Sequence, residues 1–347
     1  MKAALLEAYK SPLKICQLPD PKAPNDGVIV EVKACGVCRS DWHGWKGTDP
    51  DIVLPHVPGH ELAGDIVAVG PEVKNFHMGD RVTVPVILGC GHCPTCRAGE
   101  LTICDTQYVV GFSGWGAFAE LAAVPYADAN LVKLPDEMPY EVAAALGCRV
   151  TTAFRGVVDR GKLQPGETIA VHGCGGIGLS AVMIAAAMGA SVIAVDVVEE
   201  KLQLAQSLGA THTINAATNA DVGEAIRELS GGGAHVSIEA LGITATLHNS
   251  LKGLRKLGRH VQIGQPLGVH AEPAVPLLET IYSRQITMMG SRGLPSIRFP
   301  ALFEMMASGR LDPSRLIGNR IALEEASGVF ELMDDYADVG VTLIDRF

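Results

Sequence analysis

Between Thr168 and Asp196 the chain runs through an apolar strand, a glycine-rich turn, an apolar helix, a second apolar strand and an acid, and few folds accommodate that order. Thr168–His172 reads as a strand, Gly178–Met188 as a helix and Ser191–Asp196 as the next strand. The turn is His172-Gly173-Cys174-Gly175-Gly176-Ile177-Gly178, with Gly173, Gly175 and Gly178 at the G-x-G-x-x-G positions. Glycine at the first permits a tight turn. At the second it lets backbone approach a pyrophosphate, and at the third it lets the helix pack against the sheet. The helix start presents free N–H groups to phosphate. Asp196 follows Gly178 by 18 residues, near the ~20 expected of an acid that binds a ribose diol and repels a 2′-phosphate. The pattern predicts a dinucleotide site that prefers NAD to NADP. The plainer alternative is a tight turn before a strand-ending Asp. Ile177–Val195 is almost long enough to span a bilayer, but Gly189 interrupts it, so a buried helix followed by a buried parallel strand is expected.

The chain changes character near residue 150. Before it, short runs such as Val28–Val32, Ile66–Val69 and Arg81–Val86 are separated by Gly, Pro and Asp, predicting a mostly β domain. After it, strands and helices alternate. Glu199–Leu208 and Thr246–Arg255 read as helices, and Val236–Glu239 and Arg259–Ile263 as strands, which implies a doubly wound parallel sheet. The tail returns to mixed structure, with Ala301–Ser308, Leu323–Met333 and Val341–Ile344 as elements. The expected division is 1–150, 151–290 and a segment 291–347 that rejoins the first domain. Hydrophobic residues make up 48% and charged residues 19%, so a packed α/β protein is expected rather than a disordered one. A formal net charge of −10 disfavours nucleic acid and anionic membrane as partners. Met1–Lys14 lacks the apolar block of a secretory signal, so a cytoplasmic protein is expected.

Four of nine cysteines crowd together as Cys90, Cys93, Cys96 and Cys104, among Gly89, Gly91, Pro94 and Gly99. In a reducing compartment this spacing points to metal before disulfides. Four thiolates close a tetrahedral zinc shell; an iron–sulfur cluster takes the same donors. Cys38, His60-Glu61 and Cys148 are far apart. Each alone reads as an ordinary buried residue, but two Cys and one His together are a catalytic zinc set with a fourth position left for water or substrate. Ser40 and His43 follow Cys38 closely, and a hydroxyl and an imidazole can carry away an alcohol proton.

With Gly36-Val37-Cys38-Arg39-Ser40-Asp41-Trp42-His43, Gly59-His60-Glu61, the four-Cys lobe, Gly147-Cys148 and the glycine turn in this order, the chain resembles the zinc-containing medium-chain alcohol dehydrogenases over nearly its whole length. The resemblance implies a GroES-like catalytic domain, a Rossmann coenzyme domain and an active site in the cleft between them. It implies two zinc ions: a catalytic one on Cys38, His60 and Cys148, with Glu61 as an alternating ligand or outer carboxylate, and a structural one on Cys90, Cys93, Cys96 and Cys104. Asp41 would orient His60, and Ser40 and His43 would relay the proton. Arg39 would approach the pyrophosphate and Lys201 would join Asp196 on the ribose; Gly176, Ile177 and Ile263 are further candidate coenzyme contacts. Trp45, Val86, Phe112 and Trp115 would line the substrate pocket, with core packing as the alternative for each. A homo-oligomer, tetramer or dimer, is implied. One departure stands out: many members carry a pyrophosphate-binding Arg near the C-terminus, where this chain has Val341 or Thr342, with Arg346 out of register. Faster NADH release is therefore expected, reversed by Thr342→Arg. A polyol dehydrogenase, a zinc-free enone reductase and a non-catalytic dinucleotide-binding redox sensor are the rival readings.

Overall fold

A computed structural model of the chain describes residues 1–334 and 340–347. They form two compact units, Met1–Thr151 with Gly293–Glu304 and Pro313–Phe347, and Thr152–Arg292 with Met305–Asp312.

The first unit is organised by the strand Val28–Val37, rich in β-branched residues and buried along most of its length. Glu61–Val69 and Val341–Arg346 pair with it antiparallel, as does Leu121–Val124. Arg81–Thr83, Val132–Lys133 and Ile317–Ala322 extend the sheet. The expected strand Arg81–Val86 ends at Thr83, just before Pro85, which has no N–H to give a ladder. Register matters most at one corner. Gly36 lies opposite Glu61 and Val37 opposite Thr342, so Cys38 leaves one strand beside the point where His60 enters the next. Beneath the sheet the Phe118 and Phe330 rings stack at 6.2 Å, both fully buried. Thr342 is buried in this sheet, and Arg346 lies exposed at its end against Glu325 and Asp345.

In the second unit, among the described residues, six parallel strands stand in the order His212–Asn215, Ser191–Asp196, Thr168–His172, Ala234–Glu239, Leu254–Gln262, Thr287–Gly290. This is the doubly wound order 3-2-1-4-5-6. The long apolar run resolves into the helix Gly176–Ala187 and the strand Ser191–Asp196, with Gly189 turning the chain at φ +80°. No helix among the described residues is long and apolar enough to cross a membrane. Parallel pairing aligns His172, Glu239 and Gln262 across three strands, and Ala170, Ser237 and His260 one step behind on the same face. His260 Nδ1 meets the hydroxyls of Ser237 and Ser250 at 3.1 and 3.0 Å, while neither ring nitrogen of His172 has a hydrogen-bond partner. Burial holds both rings uncharged, pulling His172 down to about 3 and His260 to about 4.

Candidate functional site

Cys38 begins the site as the residue that caps the helix Arg39–Lys46. Asp41, three positions on, reaches back so that its Oδ2 accepts the Cys38 N–H at 2.9 Å. Its Oδ1 accepts the Gly59 N–H at 3.0 Å and meets His60 Nδ1 at 2.8 Å. One buried carboxylate therefore fixes the helix start, the approach of Gly59 and the orientation of the imidazole. With Nδ1 so engaged, His60 Nε2 is buried without a partner, a costly arrangement unless something accepts its lone pair. Cys38, His60, Glu61 and Cys148 each offer a donor atom, and the four atoms all lie within 4.8 Å of one another. The Cys148 thiol, donating to the Cys38 sulfur, holds Cys38 well below the usual thiol range, and His60 adds to that pull against burial. The Cys38 sulfur and burial push Cys148 well up. Soft sulfur and imidazole donors around an orphaned nitrogen fit a zinc ion.

Cys148 sits in a helical stretch broken at Gly147, whose φ of 19° and ψ of −136° are non-helical. The kink admits Glu61, which is fully buried. Its Oε1 accepts the Cys148 N–H at 3.0 Å and Arg149 Nε at 3.1 Å, and its Oε2 accepts a second Arg149 N–H. Burial pushes the Glu61 carboxyl up to about 7, against the opposing pull of Arg149.

Ser40 and His43 share one face of the helix, a turn apart. The Ser40 hydroxyl is 3.9 Å from the Cys38 sulfur, and His43 Nδ1 is 3.3 Å from the Thr48 hydroxyl. Burial and the Arg39 charge lower the His43 pKa below 6.5. Arg39 lies over the Trp42 ring, 3.8 Å from its centroid, and donates to the Met333 carbonyl. Of the expected pocket residues, Phe112 packs edge-on against the His60 ring at 5.3 Å. Trp45 sits in the core, facing Phe330 at 5.7 Å and donating to the Ser11 carbonyl. Val86 is buried, and Trp115 is 40% exposed.

The four-Cys lobe forms a second donor group, its sulfurs also within 4.8 Å of one another. Cys93 N–H points at Cys90 sulfur, Cys96 N–H at Cys93 sulfur and Cys90 N–H at Cys104 sulfur, each at 3.4 Å. All nine cysteines are free thiols. Four sulfurs this close together, three of them each receiving a backbone N–H, fit a closed structural ion.

In the second unit the glycine turn has the shape its spacing predicts. A Cβ on Gly178 would lie 1.6 Å from the Gly173 carbonyl oxygen, whereas one on Gly175 would meet nothing within 4 Å. Asp196 Oδ2 accepts the Cys174 N–H at 2.6 Å, and Oδ1 accepts those of Val197 and Val198 at 2.8 and 3.0 Å. Lys201 is buried in the following helix, and Ile263 follows the strand Leu254–Gln262.

Residues 24–136 match the family described as alcohol dehydrogenase GroES-like domain, and residues 176–308 the family described as zinc-binding dehydrogenase. An alcohol dehydrogenase of Geobacillus stearothermophilus is 38% identical over 285 residues, 81% of this chain and 82% of its own. An NAD-dependent alcohol dehydrogenase of Sulfurisphaera tokodaii is 33% identical over 98% of both chains. The solved alcohol dehydrogenase of Thermus sp. ATN1 superposes with a TM-score of 0.90 at 32% identity, covering 99% of each chain. The chain belongs to the zinc-containing medium-chain alcohol dehydrogenases.

In this medium-chain dehydrogenase two polar residues at the site escaped the sequence reading. Arg149 stands alone as a charge within Ala143-Ala144-Ala145-Leu146-Gly147-Cys148-Arg149-Val150. A cation in so apolar a run must find a buried acid, which is the signal that would have found it. Thr48 gave no such signal, because its contact with His43 depends on the turn at Gly47 that ends the helix.

Proposed function

We propose that this dehydrogenase interconverts alcohols with aldehydes or ketones, passing hydride to and from NAD. One observation carries the reading: four donor atoms from Cys38, His60, Glu61 and Cys148 gather on a buried point where the His60 Nε2 lone pair lacks a partner. Held by Cys38, His60 and Cys148, a zinc ion would polarise the substrate oxygen and lower the pKa of an alcohol. Ser40 takes the hydroxyl proton, and His43, neutral near pH 7, passes it to water. Phe112 supplies an apolar wall beside His60, and Trp45, Val86 and Trp115 are carried as further pocket candidates. The turn at Gly173, Gly175, Gly176, Ile177 and Gly178 cradles the pyrophosphate, and Arg39 is carried as a separate coenzyme candidate. Asp196 and Lys201 hold the adenosine ribose, and Ile263 is a further coenzyme contact. The first unit would serve the reaction centre and the second the coenzyme. Cys90, Cys93, Cys96 and Cys104 would hold a structural zinc. We assign the protein to the cytoplasm as a homo-oligomer, whose order light scattering reads.

The test is a screen of NAD and NADP reduction with primary, secondary, aromatic and polyol substrates, with zinc counted per chain. Two zinc ions and NAD-linked oxidation of simple alcohols are expected. Turnover of polyols alone would move the chain to the polyol branch. Two zinc ions with no alcohol oxidised would leave a non-catalytic dinucleotide binder.

A further inference from the structure

We infer that Arg149 is a positioning residue that keeps Glu61 out of the coordination shell, so that one place at the ion stays open for substrate. The inference rests on the metal-centre reading above. Glu61 lies within the same 4.8 Å group as the other three donors, so distance does not exclude it as a ligand. What separates it from them is how its oxygens are used. Oε1 takes the Cys148 N–H and Arg149 Nε, Oε2 takes the other arm of the guanidinium, and Arg149 is itself anchored by a 3.0 Å bond to the Val37 carbonyl. A planar fork meeting both carboxylate oxygens fixes the plane of the acid as well as its charge.

The surroundings are cut to this arrangement. A Cβ on Gly36 would lie 2.0 Å from Glu61 Oε2 and 3.0 Å from the Arg149 guanidinium. One on Gly147 would come within 2.6–2.7 Å of Glu61 Cβ, Cγ and Cδ. Two glycines from different elements thus vacate the slot that the acid fills. Charge agrees among the four donors: two metal-bound thiolates and a carboxylate exceed a divalent cation by one negative charge, which Arg149 offsets. With the arginine removed, Glu61 keeps one N–H partner and has a cation beside it. It then closes on the ion, giving four protein ligands and no open position.

Cobalt(II) in place of zinc in the holoprotein reads this directly, because its d–d absorption reports ligand number and its response to added imidazole reports an open place. We expect Arg149→Met to change the d–d bands and to lose the imidazole response, and Arg149→Met/Glu61→Gln to restore both. Arg149→Lys, which keeps the charge without the fork, should shift the bands in the same direction and covers the case in which the Met variant does not fold. Wild-type spectra and a full imidazole response in both Arg149 variants would overturn the inference. A wild type that takes cobalt only with the all-thiolate spectrum of the Cys90–Cys104 lobe would instead overturn the metal-centre reading, and this inference with it.

Discussion

At the scale of single residues the site depends on polar groups that each serve more than one neighbour. Asp41 caps a helix, receives Gly59 and turns His60, so it cannot be judged by any one of those bonds. His43 is a simpler case and yields a pH test. Burial, then the Arg39 charge, lowers its pKa below the usual 6.5, so it is neutral and able to accept a proton at pH 7. Alcohol oxidation should be flat above pH 6.5 and fall with a midpoint below it. The acid limb of kcat/KM in His43→Gln should lose this midpoint; a limb unchanged in the variant would remove His43 from the relay. Most donors of the site were legible as residue types: Cys38, His60 and Cys148 were expected to share an ion, and their donor atoms do converge. The Arg149–Glu61 pairing was not legible, because it links positions 88 apart through a kink at Gly147 that no local pattern announces.

Among the elements, the two strands flanking the glycine turn were read to the residue, whereas the longest strands, Val28–Val37, Glu61–Val69 and Leu254–Gln262, were read about five residues short and the short edge pieces were not read at all. Thr168–His172 and Ser191–Asp196 match the expected strands, since buried parallel strands are continuous apolar runs. His212–Asn215 and Thr287–Gly290, at the two edges of that sheet, had no counterpart in the sequence reading. Each has four residues, too few to show a period, and Ile214 is the one buried residue between them. The four-Cys lobe is the opposite case: strongly patterned in sequence, yet with little to hold it together. Its apolar packing amounts to Cys96, Leu101 and Cys104 with Cys90, Cys93 and Ala129 around them, and Asn130 ties Gly89 by two hydrogen bonds. So small a cluster cannot fold alone, and a bound ion there contributes folding free energy locally. Amide exchange should quicken across residues 90–104 in Cys93→Ser or after chelation while Val28–Val37 stays protected. Equal protection of the lobe with and without metal would contradict this.

For the molecule as a whole, the polar column inside the second unit makes stability depend on pH. His172 and His260 are held near 3 and 4 by burial, whereas an unfolded histidine titrates near 6.5. Above pH 6.5 neither state takes up protons, and the contribution of these residues is constant. As pH falls below 6.5 the unfolded chain binds protons that the folded one refuses, so stability drops, by about 2 kcal/mol per histidine at pH 5. The thermal midpoint should therefore decline between pH 6.5 and 4. His172→Leu, which also removes two unpartnered nitrogens, should flatten that decline without lowering the midpoint at pH 7. The acid at the end of Ser191–Asp196 bears on how such a protein could change its diet of coenzyme. Asp196 braces the backbone of Cys174 in the turn and of Val197 and Val198 after its own strand. Relaxing its repulsion of a 2′-phosphate with a neutral residue also dismantles that brace. A laboratory lineage selected for NADP should thus stall at Asp196→Ser, with lower melting and poorer use of either coenzyme, until a second change re-anchors the turn.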